Sequence, residues 1–230
     1  MKTRIKPFTE PSGLYQQIER HVIDKDIKDK NILDIGCGSG WIEEMLLLRG
    51  AKKVTGIDVS DEVIKKAKRK KLKKTVYLKA SAIDLPFRKN TFDTIVSFEV
   101  IEHIPTNTEQ KMFDEIRRVL KPGGVFYVTT PHKNLIVQLF DPAWWFAGHR
   151  HYRKKQMEEY CKNANLKIKR LYVRGGYYTI FLFLSMYISK WITHRSPFFY
   201  EYLLKNSREE FKKTTGFMGL FLHGVKSSKK

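Results

Sequence analysis

Three glycines spaced two apart, in Leu33-Asp34-Ile35-Gly36-Cys37-Gly38-Ser39-Gly40, lie between a β-branched run and a helical pattern. Glycine at such a turn lets the backbone approach a ligand closely, and the helix that follows opens with unpaired amide donors. Asp58 ends the next β-branched run about 20 residues further on, where a carboxylate can bind ribose hydroxyls. Loop and acid together point to a nucleotide-like ligand. A dinucleotide would need a third glycine near residue 41, and Trp41 obstructs the close strand–helix packing there, so NAD is disfavoured. No Gly-Lys-Ser/Thr follows the loop, which removes the phosphate-cradling alternative.

A second constellation is Glu99-Val100-Ile101-Glu102-His103. If this segment turns helically, its two carboxylates and its imidazole share one face at i, i+3 and i+4. With a further histidine from His149-Arg150-His151, the set Glu99, Glu102, His103 and His151 suits magnesium or manganese. His103 is also the first candidate for a general base, because it follows a strand at the edge where doubly wound sheets bind ligands and its titration range suits proton transfer. A purely local role, capping the turn, is the alternative.

The elements that must position these residues alternate along the chain. Strands are predicted over Asn31 to Ile35, Lys53 to Val59, Val76 to Lys79, Asp93 to Phe98, Gly124 to Thr129, Leu166 to Val173 and Phe217 to Val225. Helical spacing runs over Trp41 to Arg49, Glu109 to Leu120 and Lys154 to Asn163. This rhythm predicts an α/β fold with a doubly wound, mainly parallel seven-stranded sheet. Lys121-Pro122-Gly123-Gly124 is expected to stop the helix before it, since proline cannot continue the ladder and glycine accepts the left-handed turn. Residues 175–216 interrupt the closing strand pair as an aromatic-rich helical insertion, and the chain reads as one domain over 1–230.

Ile32 to Gly40, Gly56-Ile57-Asp58-Val59-Ser60, Leu85-Pro86-Phe87, Phe92-Asp93 and Leu120 to Gly124 resemble, in order and spacing, the successive motifs of class I S-adenosylmethionine-dependent methyltransferases of the type 11 kind. The resemblance covers roughly residues 25 to 175 and implies a Rossmann-like methyltransferase fold. It further implies that Asp34 and the turn Gly36, Cys37, Gly38, Gly40 hold the methionine part of the cofactor and that Asp58 binds its ribose. Val59 would flank the adenine, and Phe98 would offer its backbone near the methionine end. Where the family often has an acid for the adenine amino group, this chain has Ser81-Ala82, which moves that contact to the Ala82 backbone. The Glu-x-x-Glu-His spelling is similar to the metal-binding segment of ubiquinone-biosynthesis O-methyltransferases and small-RNA 3′-end 2′-O-methyltransferases, and also to members that use no metal. It suggests oxygen as the acceptor atom.

The 230 residues carry 44 lysines and arginines against 24 acids, a formal +20 that concentrates polyanions or anionic lipid nearby. Lys65 to Lys74 holds part of this excess and reads as a solvated helix face. Two cysteines without zinc-ligand spacing fit a reducing cytosol, and Met1 to Pro7 does not open a signal peptide. Two apolar aromatic runs, Leu135 to Phe146 and Tyr177 to Ile188, are expected to pack on each other over an acceptor pocket. The second is too short to span a bilayer, yet with Trp191, Lys190, His194 and Arg195 beside it, it suits shallow contact with an anionic membrane. The expectation is a cytoplasmic methyltransferase, peripheral on the inner membrane face, with a small or lipid-like acceptor. Nucleic acid is disfavoured, because base-stacking aromatics should be interleaved with basic residues; a non-catalytic cofactor-binding module is the third alternative.

Overall fold

The computed structural model describes residues 13–141, 144–145, 148–194 and 197–228. Arg195, the side chains of Lys190 and Trp191, and the N-terminal segment before residue 13 lie outside the described residues.

Seven strands form one sheet: β1 (Asn31–Ile35), β2 (Lys53–Asp58), β3 (Thr75–Lys79), β4 (Phe92–Phe98), β5 (Leu120–Pro131), β6 (Leu166–Arg174) and β7 (Gly219–Lys226). Their order is β3-β2-β1-β4-β5-β7-β6, with β1 parallel to β2 and β4, β2 to β3, and β4 to β5. The helices that cross between them include α2 (Trp41–Leu48), α3 (Asp61–Arg69), α4 (Glu109–Val119) and α6 (Lys154–Asn163). The doubly wound, mainly parallel seven-stranded sheet expected from the alternating pattern is present, in the Rossmann-like methyltransferase architecture that the resemblance implies. Central strands covered on both faces must be almost wholly apolar, and Ile32, Leu33, Ile35, Val54, Ile57, Ile95, Val96, Phe126 and Val128 are all buried. Asp34 breaks that rule in the middle of β1, at 2% exposure.

The helix stop at Lys121 to Gly124 takes a different form from the one expected. Leu120 already pairs with Phe92 while Val125 pairs with Thr94, so the Lys-Pro-Gly-Gly stretch is drawn into β5 as an irregularity and not left as a turn. Gly123 supplies the positive φ of 76° that the bulge requires. Asp93 fastens this corner: its carboxylate accepts the Asn31 amide at 2.9 Å and the Lys121 ammonium at 2.8 Å.

The chain divides into two compact units. One, residues 21–130, 154–171 and 221–230, contains most of the sheet and the glycine turn. The other comprises residues 1–20, 131–153 and 172–220. Its helices are α1 (Gly13–His21, ending at the boundary), α5 (Leu135–Leu139), α7 (Tyr177–Ile188) and α8 (Tyr200–Lys212), with a π turn over Ser189–Thr193. The insertion is therefore helical, as expected. The main partner of α7 is α8, while Tyr187 on α7 also lies near Asp141 of the 135–146 run, of which residues 142, 143 and 146 lie outside the described residues. Glu210 on α8 explains this pairing: its carboxylate accepts the amides of Gly176, Tyr178 and Thr179 at 3.1, 2.9 and 3.0 Å, capping α7 from a neighbouring helix. No helix among the described residues is long and apolar enough to cross a membrane.

Candidate functional site

Parallel pairing brings the carboxyl ends of β1, β2 and β4 to one edge: Ile35 faces Ile57 on one side and Ser97 on the other. The strand order reverses between β1 and β4, which is where doubly wound sheets open a crevice. The glycine turn leaves β1 at that point. Gly36 and Cys37 donate their amides to Ile57 O at 2.8 and 2.9 Å, and Gly36, Gly38 and Gly40 have φ of 76°, 51° and 80°. A Cβ at Gly36 would lie 2.3 Å from Val100 Cγ2 and one at Gly40 2.7 Å from the Tyr77 hydroxyl. At Gly38 a Cβ would meet nothing within 4 Å, so the middle of the turn borders open space.

Asp58 closes the turn from the end of β2. Its Oδ2 accepts the Gly38 amide at 3.1 Å and its Oδ1 the Ser60 amide at 2.9 Å. Each oxygen retains a second lone pair for another donor. Val59, next along, stands 65% exposed at the edge. Ser81 and Ala82 follow β3 in a tight turn; the Ser81 hydroxyl accepts the Ile83 amide at 3.4 Å and Ala82 is buried. Phe98 ends β4, half-buried.

Beneath the turn lies a buried acidic pair that the sequence does not advertise. Asp34 Oδ2 has no hydrogen-bond partner among the described residues, and neither oxygen of the fully buried Glu43 has one. Burial, then the nearby Glu43 and Asp58 charges, hold the Asp34 carboxyl well above the usual carboxylate range. Burial pushes Glu43 up to about 7, opposed by the nearby backbone amide of its own residue, which is not in hydrogen-bond geometry, and by the Lys70 charge. Glu43 fits because the neighbouring strand carries Gly56, where a Cβ would lie 2.3 Å from Glu43 Oε1. A glycine inside a strand marks such a close approach, and that was the available signal. Cys37 is buried, with its thiol driven far up by burial. Lys70, in the basic run, donates to Gly40 O at 2.7 Å and so steadies the turn.

The Glu99 to His103 segment is a turn and not a helix: the His103 amide donates to Val100 O at 2.9 Å, and Glu99 has a φ of 56°. Glu99 accepts the Thr129 hydroxyl at 2.7 Å and Glu102 the Thr130 hydroxyl at 3.0 Å. Glu102 and His103 bring ligand atoms within 4.8 Å of each other, but among the described residues Glu99 joins no cluster of three such groups. His151, in the other unit, pairs with Asp141 Oδ2 at 2.8 Å, and His149 meets the same oxygen at 3.0 Å. The shared helical face on which the four-ligand set depended does not form. His103 is exposed, directly after the edge of β4.

The Leu85-Pro86-Phe87 element owes its place to α4. Arg118 donates to Leu85 O at 2.8 Å and Phe87 O at 2.6 Å, while Glu115 accepts the Leu85 amide at 2.6 Å and pairs with Arg118. This clamp needs two residues thirty positions away and is invisible in the motif itself.

Residues 33–128 match the family model described as a methyltransferase domain. The chain is 30% identical over 161 residues to a ubiquinone biosynthesis O-methyltransferase of Pelagibacter ubique, an alignment covering 64% of this chain and 66% of that one. It is 36% identical over 129 residues to an uncharacterised protein of Methanocaldococcus jannaschii, covering 55% and 45%. The chain thus spans between about half and two thirds of the length of these curated relatives. Among solved structures, an S-adenosylmethionine-dependent methyltransferase from Mesorhizobium loti superposes with a TM-score of 0.64 at 16% identity, covering 93% of this chain and 98% of that one. The cyclase SpnF does so with a TM-score of 0.66 at 20% identity, covering 96% and 86%. The fold is the Rossmann-like fold of these solved methyltransferase structures, and residues 33–128 are similar to the methyltransferase domain model.

Proposed function

We propose that this chain is an S-adenosylmethionine-dependent methyltransferase that methylates a small or lipid-like acceptor at oxygen. The observation that carries the cofactor reading is the orphaned Asp34 Oδ2 near the end of β1, together with the open flank of Gly38 in the turn that follows. A buried carboxylate without a partner is costly, and the ammonium group of the cofactor's methionine end would satisfy it. Asp58 has the spare lone pairs for ribose hydroxyls, Val59 the exposed face for adenine, and Ala82 the backbone amide for the adenine edge. Phe98 offers backbone near the methionine end. When bound, the cofactor supplies a methyl group already activated on a sulfonium, so the protein's task is to orient the acceptor and exclude water.

An acceptor hydroxyl must lose its proton as it is methylated, and His103, exposed in the turn that follows β4, is the group to take it. The oxygen preference is supported by the O-methyltransferase names of relatives at 30% identity.

The lipid-like part of the reading rests on the unit containing α7 and α8. Phe181, Ile188, Ile192, Phe198, Phe199 and Tyr202 are all exposed there, Ile192 at 72% and Phe199 at 79%. Phe199 also has a φ of 51°, a left-handed conformation that a bulky side chain rarely adopts. Apolar exposure and backbone strain at one residue are both unfavourable in water, and a membrane surface would relieve the first.

The test is transfer of label from methyl-labelled S-adenosylmethionine to lipid extracts. The expected result is a labelled lipid product made by the wild type and slowed about a hundredfold or more by His103→Gln, with cofactor affinity unchanged. Absence of any labelled product across lipid and polar extracts would reject the transferase reading.

A further inference from the structure

At the opposite, amino edge of the sheet is a second cleft, of about 730 Å³, within the larger unit. Four stretches that lie far apart in sequence build it: the turn before β4 (Lys89, Asn90), the second half of α4 with the start of β5 (Asp114, Arg117, Pro122), the α6–β6 connection (163–165) and the end of β7 (Lys226, Ser227). Its size falls in the range of small-molecule sites. The length of the seven-residue β4, roughly 20 Å at about 3.3 Å per residue, separates its level from the edge that carries Asp58.

The cations here are not a solvated face. Arg118, also on the wall, is spent on Glu115 and two carbonyls. Arg117 is different: its Nε is buried without a partner among the described residues. Lys226 is pinned, donating to Asn90 Oδ1 and Leu120 O, both at 2.7 Å, which leaves one of its three N–H bonds uncommitted. Arg117 and Lys226 line the same cleft, and burial, then the Arg117 charge, hold the Lys226 ammonium below its ordinary range. Lys89 adds a third positive charge at the exposed rim, and Asp114, which accepts from Gln110 Nε2 at 3.0 Å, is the only acid among the described residues of the wall. Asn90, Asn163, Asn165 and Ser227 contribute neutral donors.

We propose that this cleft binds a small phosphate-bearing anion, with Arg117 and Lys226 flanking its oxygens and Lys89 at its entrance. A guanidinium and an ammonium held against mutual repulsion are a pre-organised receptor for a group carrying two negative charges. The walls come from four separate segments that enclose a pocket, which fits a small molecule better than the extended stripe a nucleic-acid strand needs.

The test is calorimetric titration of the intact protein with inorganic pyrophosphate, for the wild type, Arg117→Gln, and Lys68→Gln as a charge-matched control on α3. The expected result is saturable one-site binding, weakened at least tenfold by Arg117→Gln and unchanged by Lys68→Gln. Circular dichroism on both variants confirms that they fold. No binding by the wild type, or equal weakening by both variants, would overturn the site, the latter indicating diffuse attraction to a basic surface. A single-stranded oligonucleotide that displaces pyrophosphate and depends more strongly on Arg117 would overturn the small-molecule assignment in favour of a nucleic-acid surface.

Discussion

Asp58 Oδ2 accepts the amide of Gly38 at 3.1 Å, so the carboxylate at the end of β2 also fixes the middle of the turn after β1. The two features that signal a nucleotide ligand in the sequence are one hydrogen-bonded unit. Asp58→Ala is therefore expected to remove ribose acceptors and loosen the turn together. Charge-assisted hydrogen bonds contribute about 1.5–3 kcal/mol each, so cofactor affinity should fall by about 10- to 100-fold or more in a calorimetric titration. An unchanged dissociation constant would show that the ligand does not use Asp58.

Glu43 gives the fold a specific pH dependence. Between its ordinary value of 4.5 and its folded value of about 7, the folded chain holds a proton that the unfolded chain has released. Its contribution to stability therefore falls as pH rises through that window. Glu43→Gln keeps the shape and removes the titration. Above pH 7 the variant should be more stable than wild type by on the order of 3 kcal/mol, and its denaturation midpoint should change less between pH 4.5 and 7. Parallel profiles for the two proteins would contradict the assignment.

Glu210 ties α8 to the first turn of α7 through three amides and the Thr179 hydroxyl, the last at 3.1 Å. Truncation to alanine leaves these donors buried without partners. The expected cost is about 2–4 kcal/mol, read as a lower unfolding midpoint and faster hydrogen exchange over residues 176–180. Protection unchanged in that segment would mean the cap is dispensable.

The exposed apolar residues of the smaller unit predict membrane affinity. Wild type should co-sediment with phosphatidylglycerol vesicles, and a fraction should stay bound at high salt, because apolar insertion is not screened. The paired substitution Ile192→Ser with Phe199→Ser should abolish the salt-resistant fraction while leaving cofactor binding intact. Binding lost entirely to salt in the wild type would reduce the interaction to charge attraction.

What the sequence disclosed followed from how local each signal is. The strands and the glycine turn were legible because β-branched runs, Asp58 and Gly36 to Gly40 act within a single βαβ unit. Glu43 was not, because an acid in a first helical turn ordinarily complements the helix dipole. Its burial depends on the absence of a side chain at Gly56, on another strand. The helical face that i, i+3, i+4 spacing assumes over Glu99 to His103 does not form, since Glu99 takes a positive φ that the spacing does not reveal. The α7–α8 pairing escaped because its determinant, Glu210, lies more than thirty residues from the amides it caps.

The most direct test of the central claim is calorimetric titration of the wild-type protein with S-adenosylmethionine and S-adenosylhomocysteine. The structure predicts saturable one-site binding of both, through Asp34, the Gly36 to Gly40 turn and Asp58. A folded protein that binds neither would contradict the methyltransferase assignment.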